Sequence, residues 1–223
     1  MALDWQPIWL TLQLATVTTA LLLIIGIPVA LWLANATSRF KPVVEAIISL
    51  PLVLPPSVLG FYLLLAFSPS RALGKFLSEN FDLQLVFSFA GLVVGSIIYS
   101  LPFMVQPVQA GLEAIPSSLK EASYTLGKSK LETLLKVILP NIKPSLLTGM
   151  VLSFAHTIGE FGLVLMIGGN IPDQTRVVSI AIYHEVETLD YASAHIYSFI
   201  LLILAFSILL SVYLLNKRLV KAF

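Results

Sequence analysis

The chain of 223 residues contains no cysteine. That excludes disulfides and thiolate metal sites, and it leaves the redox compartment unreadable. Charge is nearly as scarce. Asp, Glu, Lys and Arg make up 11% of the residues, less than half of the roughly 25% usual in a soluble domain. The scarcity is uneven: none of the four occurs in Trp5–Ser38, Ala46–Ser70, Leu83–Leu112, Pro144–Gly159 or Tyr191–Asn216. All but the fourth of these exceed the roughly 20 residues that cross a hydrocarbon core. The fourth reaches that length by continuing past Glu160 to Gly169. A basic n-region is also missing, with only Asp4 charged before the first apolar run. A cleavable signal peptide is therefore not expected, and the first helix should stay in the membrane.

What remains is 57% apolar, with a mean hydropathy of +0.93. The pattern predicts an all-α, polytopic membrane bundle forming one domain over 1–223. Its five spans are expected at about 8–36, 43–67, 86–110, 145–169 and 194–216. Five crossings put the termini on opposite sides. Arg39, Lys41, Lys120, Lys128, Lys130, Lys136, Lys143, Lys217, Arg218 and Lys221 then share one side, and Arg71, Lys75 and Arg176 the other. Ten against three places the first set in the cytoplasm, the N-terminus outside and the C-terminus inside. Trp5, Trp9 and Trp32 lie near the ends of the first span, as interfacial anchors do. Val177–His184 is apolar but too short to cross; it either dips into the outer leaflet or packs over the bundle. A net charge of +1 and the absence of any repeat or basic tract give no reason to expect a nucleic acid partner.

The one long polar segment on the cytoplasmic side, 113–143, contains "ASYTLGKS" (Ala122–Ser129). It fits the loose pattern of a phosphate-gripping loop, in which glycines let backbone N–H groups curl round phosphates at the end of a strand. The fit is poor. Ala122 stands where glycine should, Gly127 is the only glycine between Ala114 and Gly149, and no strand pattern precedes it. Two short helices broken at Gly127 suit the residues better. Ser117 or Ser118 would be the N-cap, with Glu121 closing a capping box on Ser118. Leu119, Ala122, Tyr124 and Leu126, then Leu131, Leu134, Leu135 and Ile138, recur at helical spacing. Composition alone would allow an amphipathic linker lying on the membrane surface.

A longer pattern points elsewhere. Glu121-Ala122-Ser123, then Gly127, then Ile138-Leu139-Pro140 resembles the "EAA" loop of type I ATP-binding-cassette (ABC) importer permeases, with Ser123 replacing the usual second alanine. The resemblance implies that this loop is the coupling helix, which docks into a groove of a separate ATP-hydrolysing subunit. Small side chains and a glycine leave room for a close approach by that partner.

Two further stretches narrow the likeness. "LPLVLPPSVLG" (Leu50–Gly60) brings Pro51, Pro55 and Pro56 into the second span, freeing carbonyls that are tolerated only against protein or a wet cavity. A kinked packing helix would account for the prolines equally well. "TIGEFGLVLMIGGNIPDQTR" (Thr157–Arg176) sets Glu160 inside the membrane, where an ionisable group is by default functional. "LPLVLPP", "GEFG" and "NIPDQTR" look like the permease subunit of molybdate or tungstate ABC transporters. Sulfate permeases, close relatives, more often carry tyrosine where Phe161 stands. The family usually has arginine at the position of His156, a departure here.

The resemblance implies a multi-pass protein of the bacterial plasma (inner) membrane, importing an oxyanion, molybdate by those residues, through alternating access. It implies a homodimer, two cytoplasmic ATPases and an extracytoplasmic oxyanion-binding protein. This chain would then be no enzyme, with no cofactor or metal of its own; ATP and Mg²⁺ would belong to the partner. Five helices without a repeat also favour a two-fold pair built round a shared axis. In the fourth span Gly149, Ser153, His156, Thr157 and Glu160 fall on one stripe, and His156 and Glu160, four apart, could pair. Ser153, His156, Thr157 and Glu160, with Pro51, Pro55, Pro56, Gly159 and Gly162, are the candidates for the pathway or its gate; an interhelical hydrogen-bond seam is the plainer alternative. A sulfate or tungstate permease is the nearest alternative function. An ion-coupled secondary transporter is the alternative of another class, but it would show repeated halves and several buried carboxylates.

The isolated chain is accordingly expected not to bind ATP, measured by equilibrium titration of the purified protein. Saturable binding that Lys128→Ala abolishes would overturn this reading.

Overall fold

The computed structural model describes residues 3–221, without the side chains of 212 and 215–221. Lys217, Arg218 and Lys221 of the charge count thus lie outside the described side chains. The chain runs α1 (Gln6–Asn35), α2 (Lys41–Val53), α3 (Pro56–Phe67), α4 (Ala72–Phe81), α5 (Phe89–Glu113), α6 (Ser117–Thr125), α7 (Lys130–Thr133), a π turn (Leu134–Ile138), α8 (Leu139–Asn141), α9 (Lys143–Gly159), α10 (Gly162–Gly168), α11 (Val178–Glu187) and α12 (Tyr191–Lys221). No strand occurs among the described residues.

Among the described residues, three helices are long and apolar enough to cross a membrane: α1, α5 and Tyr191–Ser211 of α12. Two more candidates are bent, α2 with α3 at 112° and Lys130–Asn141 with α9 at 73°, so counting each as one span gives five. The expected second span, 43–67, is therefore two helices. Leu54, just before Pro55, is pushed to an extended backbone (φ −71°, ψ 135°) and the chain restarts on Pro56, as proline's missing N–H and its clash with the preceding residue require. Pro51 sits inside α2 and is buried.

The expected fourth span, 145–169, is also interrupted. α9 stops at Gly159, Glu160 is extended (φ −69°, ψ 130°), Phe161 is non-helical, and α10 resumes at Gly162. Glycines on both sides of the break, poor helix formers, weaken the helix there.

α1, α5 and α9 form the centre. Leu22, Ala30 and Leu33 of α1 pack with Met104, Val108 and Leu112 of α5 at the end where α6 and α7 lie. Leu10 and Leu14 meet Leu92, Leu163 and Ile167 at the opposite end. α1 and α5 thus run in the same direction, and α9 returns between them: Gly149 lies against Met104 and Thr157 bonds Ser100. With little hydrophobic drive between helices in lipid, contact depends on close packing of small residues. Gly26 shows this: a Cβ there would meet Met104 Cγ at 2.6 Å. α12 starts beside the N-terminus, Tyr197 donating to the Asp4 carbonyl at 2.8 Å.

α11, the short apolar segment left open above, packs over the bundle. Val178, Ile180 and Ala181 are buried, and the Val178 N–H donates to Thr11 Oγ1 at 2.9 Å.

The loop at 113–143 is a helical hairpin turned at Gly127. α6 closes with the Lys128 N–H on the Ser123 carbonyl (3.2 Å) and the Gly127 N–H on the Tyr124 carbonyl (2.9 Å). This paired closure needs a left-handed residue, and Gly127 supplies it at φ +75°. The cap expected at Ser117 or Ser118 is absent, because Pro116 occupies that position and no side chain caps the helix; proline at the turn already fixes the entry angle. The capping box lies instead on α7, Ser129 with Glu132. The "GKS" of the loose nucleotide pattern is thus a helix stop and a helix start. Lys136 Nζ and the Ser129 N–H both donate to Glu132 and hold its carboxyl below the usual range.

Ser123, the departure from the second alanine, is buried and shares a 2.8 Å hydrogen bond with Thr133 across the hairpin. Thr133→Val is expected to leave the Ser123 hydroxyl unpaired and to loosen the hairpin by about 1–3 kcal/mol. Adding Ser123→Ala should recover part of that loss. Protease sensitivity at 126–130 reads both, and an unchanged single variant would contradict the role given to this bond.

Candidate functional site

The break in the fourth span and the break in the second face each other. Gly162 lies near the start of α3, where a Cβ would come 3.1 Å from Pro56 Cβ. Between them opens a pocket of about 580 Å³ lined by Pro56, Ser57, Tyr99, Ala155, His156, Gly159, Glu160, Phe161 and Gly162. Five of the nine expected pathway residues (Pro56, His156, Gly159, Glu160 and Gly162) come together here. The other four do not: Pro55 is exposed in the α2–α3 break, Pro51 is buried in α2, and Ser153 and Thr157 are buried on α9.

Ser153 and Thr157 belong to a polar seam between α9 and α5. Thr157 Oγ1 lies 3.1 Å from Ser100 Oγ and also donates to the Ser153 carbonyl at 2.9 Å. The expected pairing of His156 with Glu160 does not form. Because α9 ends at Gly159, the four-residue register is lost before Glu160. His156 Nδ1 instead meets Ser100 Oγ at 2.9 Å. Its ring stacks on Phe103 (centroids 4.1 Å apart) and tilts against Tyr99 (4.6 Å).

Glu160 is 4% exposed. Ser96 Oγ donates to its Oε2 at 2.8 Å, and Ser179 Oγ donates to its carbonyl at 2.6 Å. Its Oε1 has no hydrogen-bond partner among the described residues, and neither has Ser153 Oγ. The break leaves carbonyls that a continuous helix would have used, and in a membrane these must find protein or water. Gly159 is the open point of this wall: it is exposed, and nothing lies within 4 Å of where its Cβ would stand.

Sequence reasoning missed the α5 side of this site. Ser96, Tyr99, Ser100 and Phe103 recur at steps of three and four within the charge-free run Leu83–Leu112. They face the fourth-span stripe, and that spacing was a readable signal. Ser57, beside Pro56, and Ser179, on α11, carried no such pattern.

At the other end of the chain's polar machinery, the hairpin exposes apolar side chains round its turn: Tyr124 (45%), Leu126 (79%), Leu131 (64%) and Leu135 (54%). Glu121, Ala122 and Gly127 are exposed with them, whereas Ser123 and Ile138 are buried and Leu139 and Pro140 half-buried. The hairpin motif thus divides into an outward face and an inward one that anchors it to the bundle, with Ile138 packing in the same cluster as Leu112 and Ile142. Among the described residues no group of three or more His, Asp or Glu is placed to hold a metal ion.

Known proteins resemble the chain over almost its whole length. The molybdenum transport system permease protein of Azotobacter vinelandii is 47% identical over 211 residues, covering 94% of this chain and 93% of that protein. A probable sulfate transport system permease protein of Prototheca wickerhamii is 32% identical over 206 residues, covering 92% and 79%. Among solved structures, an inward-facing MetNI methionine ABC transporter superposes with a TM-score of 0.72 at 20% identity, over 97% of this chain and 94% of that one. At that identity the match shows the fold alone, that of a type I ABC importer permease. Residues 26–221 match the model of the binding-protein-dependent transport system inner membrane components, and the chain belongs to that family.

Proposed function

We propose that this chain is the membrane permease subunit of an ABC importer, carrying molybdate into the cytoplasm by alternating access while a separate subunit hydrolyses ATP. The observation that carries the substrate is the 47% identity to a molybdenum permease over nearly the full length of both proteins. The likeness to sulfate permeases is weaker, from 32% to 36%, and sulfate is the second reading. Tungstate shares molybdate's shape and charge. The family match sets aside an ion-coupled secondary transporter.

The hairpin is the coupling element, with the exposed Tyr124, Leu126, Leu131 and Leu135 as the surface offered to the ATPase. In this reading the hairpin end is cytoplasmic, as the ten-to-three division of Lys and Arg supports, and α4 and α11 face outside, in a bacterial inner membrane. The pocket at the two breaks is one wall of the pathway. A second copy related by a two-fold axis would supply the other wall, as a closed symmetric pair does. An extracytoplasmic anion-binding protein delivers the cargo, ATP and Mg²⁺ stay with the ATPase, and no cofactor is assigned to this chain.

Selectivity for the anion belongs mainly to the delivery protein. Molybdate, tungstate and sulfate are all tetrahedral dianions, and a pocket of about 580 Å³ is far larger than any of them. Glu160 is placed to hold the break open rather than to bind the anion, since a bare carboxylate repels one.

Deleting the gene is expected to abolish high-affinity molybdenum accumulation at nanomolar supply while sparing growth on sulfate. Complementation with Gly127→Val should restore about a tenth of the wild-type uptake, because a β-branched residue at φ +75° costs about 1–2 kcal/mol. Lost growth on sulfate, with molybdenum accumulation intact, would reverse the assignment of substrate.

A further inference from the structure

The carbonyl and the carboxyl of Glu160 are held by two different helices. Ser96 on α5, a helix of the central trio, bonds the carboxyl at 2.8 Å. Ser179 on α11 bonds the carbonyl at 2.6 Å. One residue further, Phe161 meets Tyr183 of α11 with ring centroids 5.1 Å apart. α11 therefore grips both residues of the break, once through a hydroxyl and once through a ring. Its own footing is the Val178 N–H on Thr11, Ile180 in the cluster of Leu14 and Leu163, and an apolar cluster with Tyr197 of α12.

The last turn of α11 faces away from the bundle. Val186 and Glu187 at its end, and Leu189 just after it, are exposed, on the side assigned to the delivery protein. Between that surface and the pathway wall there is one short helix. Ser179 lies in its first turn and Tyr183 one turn on, so a tilt of α11 displaces both grips together. A broken helix has few backbone bonds to resist such a pull, whereas a continuous one would resist it along its whole ladder.

We propose that Ser179 is a positioning residue which ties α11 to the break at Glu160, so that pressure on α11 from outside is passed to the pathway wall. This rests on the permease reading above. α11 and the break move as one unit; the hydroxyl and the ring stack are the link, and the seam with Ser96 is the contact they work against.

The test uses the complete importer in proteoliposomes, with ATP hydrolysis measured with and without its loaded delivery protein. Ser179→Ala is expected to keep hydrolysis by ATP alone and to lose roughly three- to ten-fold of the stimulation, the worth of one hydrogen bond within a membrane bundle. Ser179→Thr, which keeps the hydroxyl, should restore it. A general packing defect would lower both rates together and would not be rescued by threonine.

The absence of cysteine allows a second arm that does not depend on the alanine variant's folding. Phe161→Cys and Tyr183→Cys are joined by a short, reducible bifunctional thiol reagent. If the two elements move together, the joined importer keeps its stimulation, and the join restores it in the Ser179→Ala background. Loss of stimulation on joining, with recovery on reduction, would show that they separate and would overturn the proposal, as would normal stimulation in Ser179→Ala. A wild-type importer showing no stimulation would instead defeat the permease reading, so the two failures are distinct.

Discussion

A lipid bilayer offers no water to an unpaired peptide group, and this constraint organises the molecule. Each N–H and C=O left without a partner in the hydrocarbon costs several kcal/mol. Yet the chain interrupts two of its apolar segments, at Leu54–Pro55 and at Glu160–Phe161. Both breaks are turned to the same pocket. Several polar residues of the membrane region lie near the second: Ser96, Ser100, His156, Thr157 and Ser179 bond at or near it. The uninterrupted α1 and α12 carry their apolar surfaces outward, with Ile24, Phe206 and Leu209 exposed. These two breaks thus fall where a cavity can hydrate them.

The same constraint decides what could be read from the sequence. Charge-free runs and the imbalance of Lys and Arg are strong signals because the bilayer punishes exceptions to them. The helical class and the turn at Gly127 were legible for that reason and because glycine is so often the residue that ends a helix in the left-handed conformation. The breaks were harder. Three prolines announced a disturbance in the second span but not a bend of 112°. In the fourth span the extension through Glu160 was read as continuous, and the His156–Glu160 pairing drawn from it fails because the helix has already ended. Contacts across the bundle, such as Ser96 with Glu160 over 64 positions, depend on which helices become neighbours. No local pattern carries that information.

The two halves of the machinery share a design. At the hairpin, a buried pair, Ser123 with Thr133, joins the two helices that carry the exposed apolar turn. At the break, Ser96 and Ser179 fix the position of Glu160. Each uses hydroxyl groups, which satisfy a polar neighbour without adding charge, and at the break that spares the membrane a further ion. On the proposed reading, an anion passing this wall meets no Lys or Arg among the residues that line the pocket. That agrees with the reading in which recognition of the cargo lies with the delivery protein and the permease supplies an opening.

The central claim is that the two breaks border a water-filled pathway and that the outer faces of α1 and α12 border lipid. Single cysteines in this cysteine-free chain test it directly, using a membrane-impermeant thiol reagent on the complete importer in both its resting and its ATP-bound states. Cysteine at Gly159 is expected to react in at least one state and to be protected in the other, whereas cysteine at Ile24 or Leu209 stays unreactive in both. If the residue at 159 is as inert as that at 24 in every state, the pocket is sealed against water and the account of the breaks is wrong.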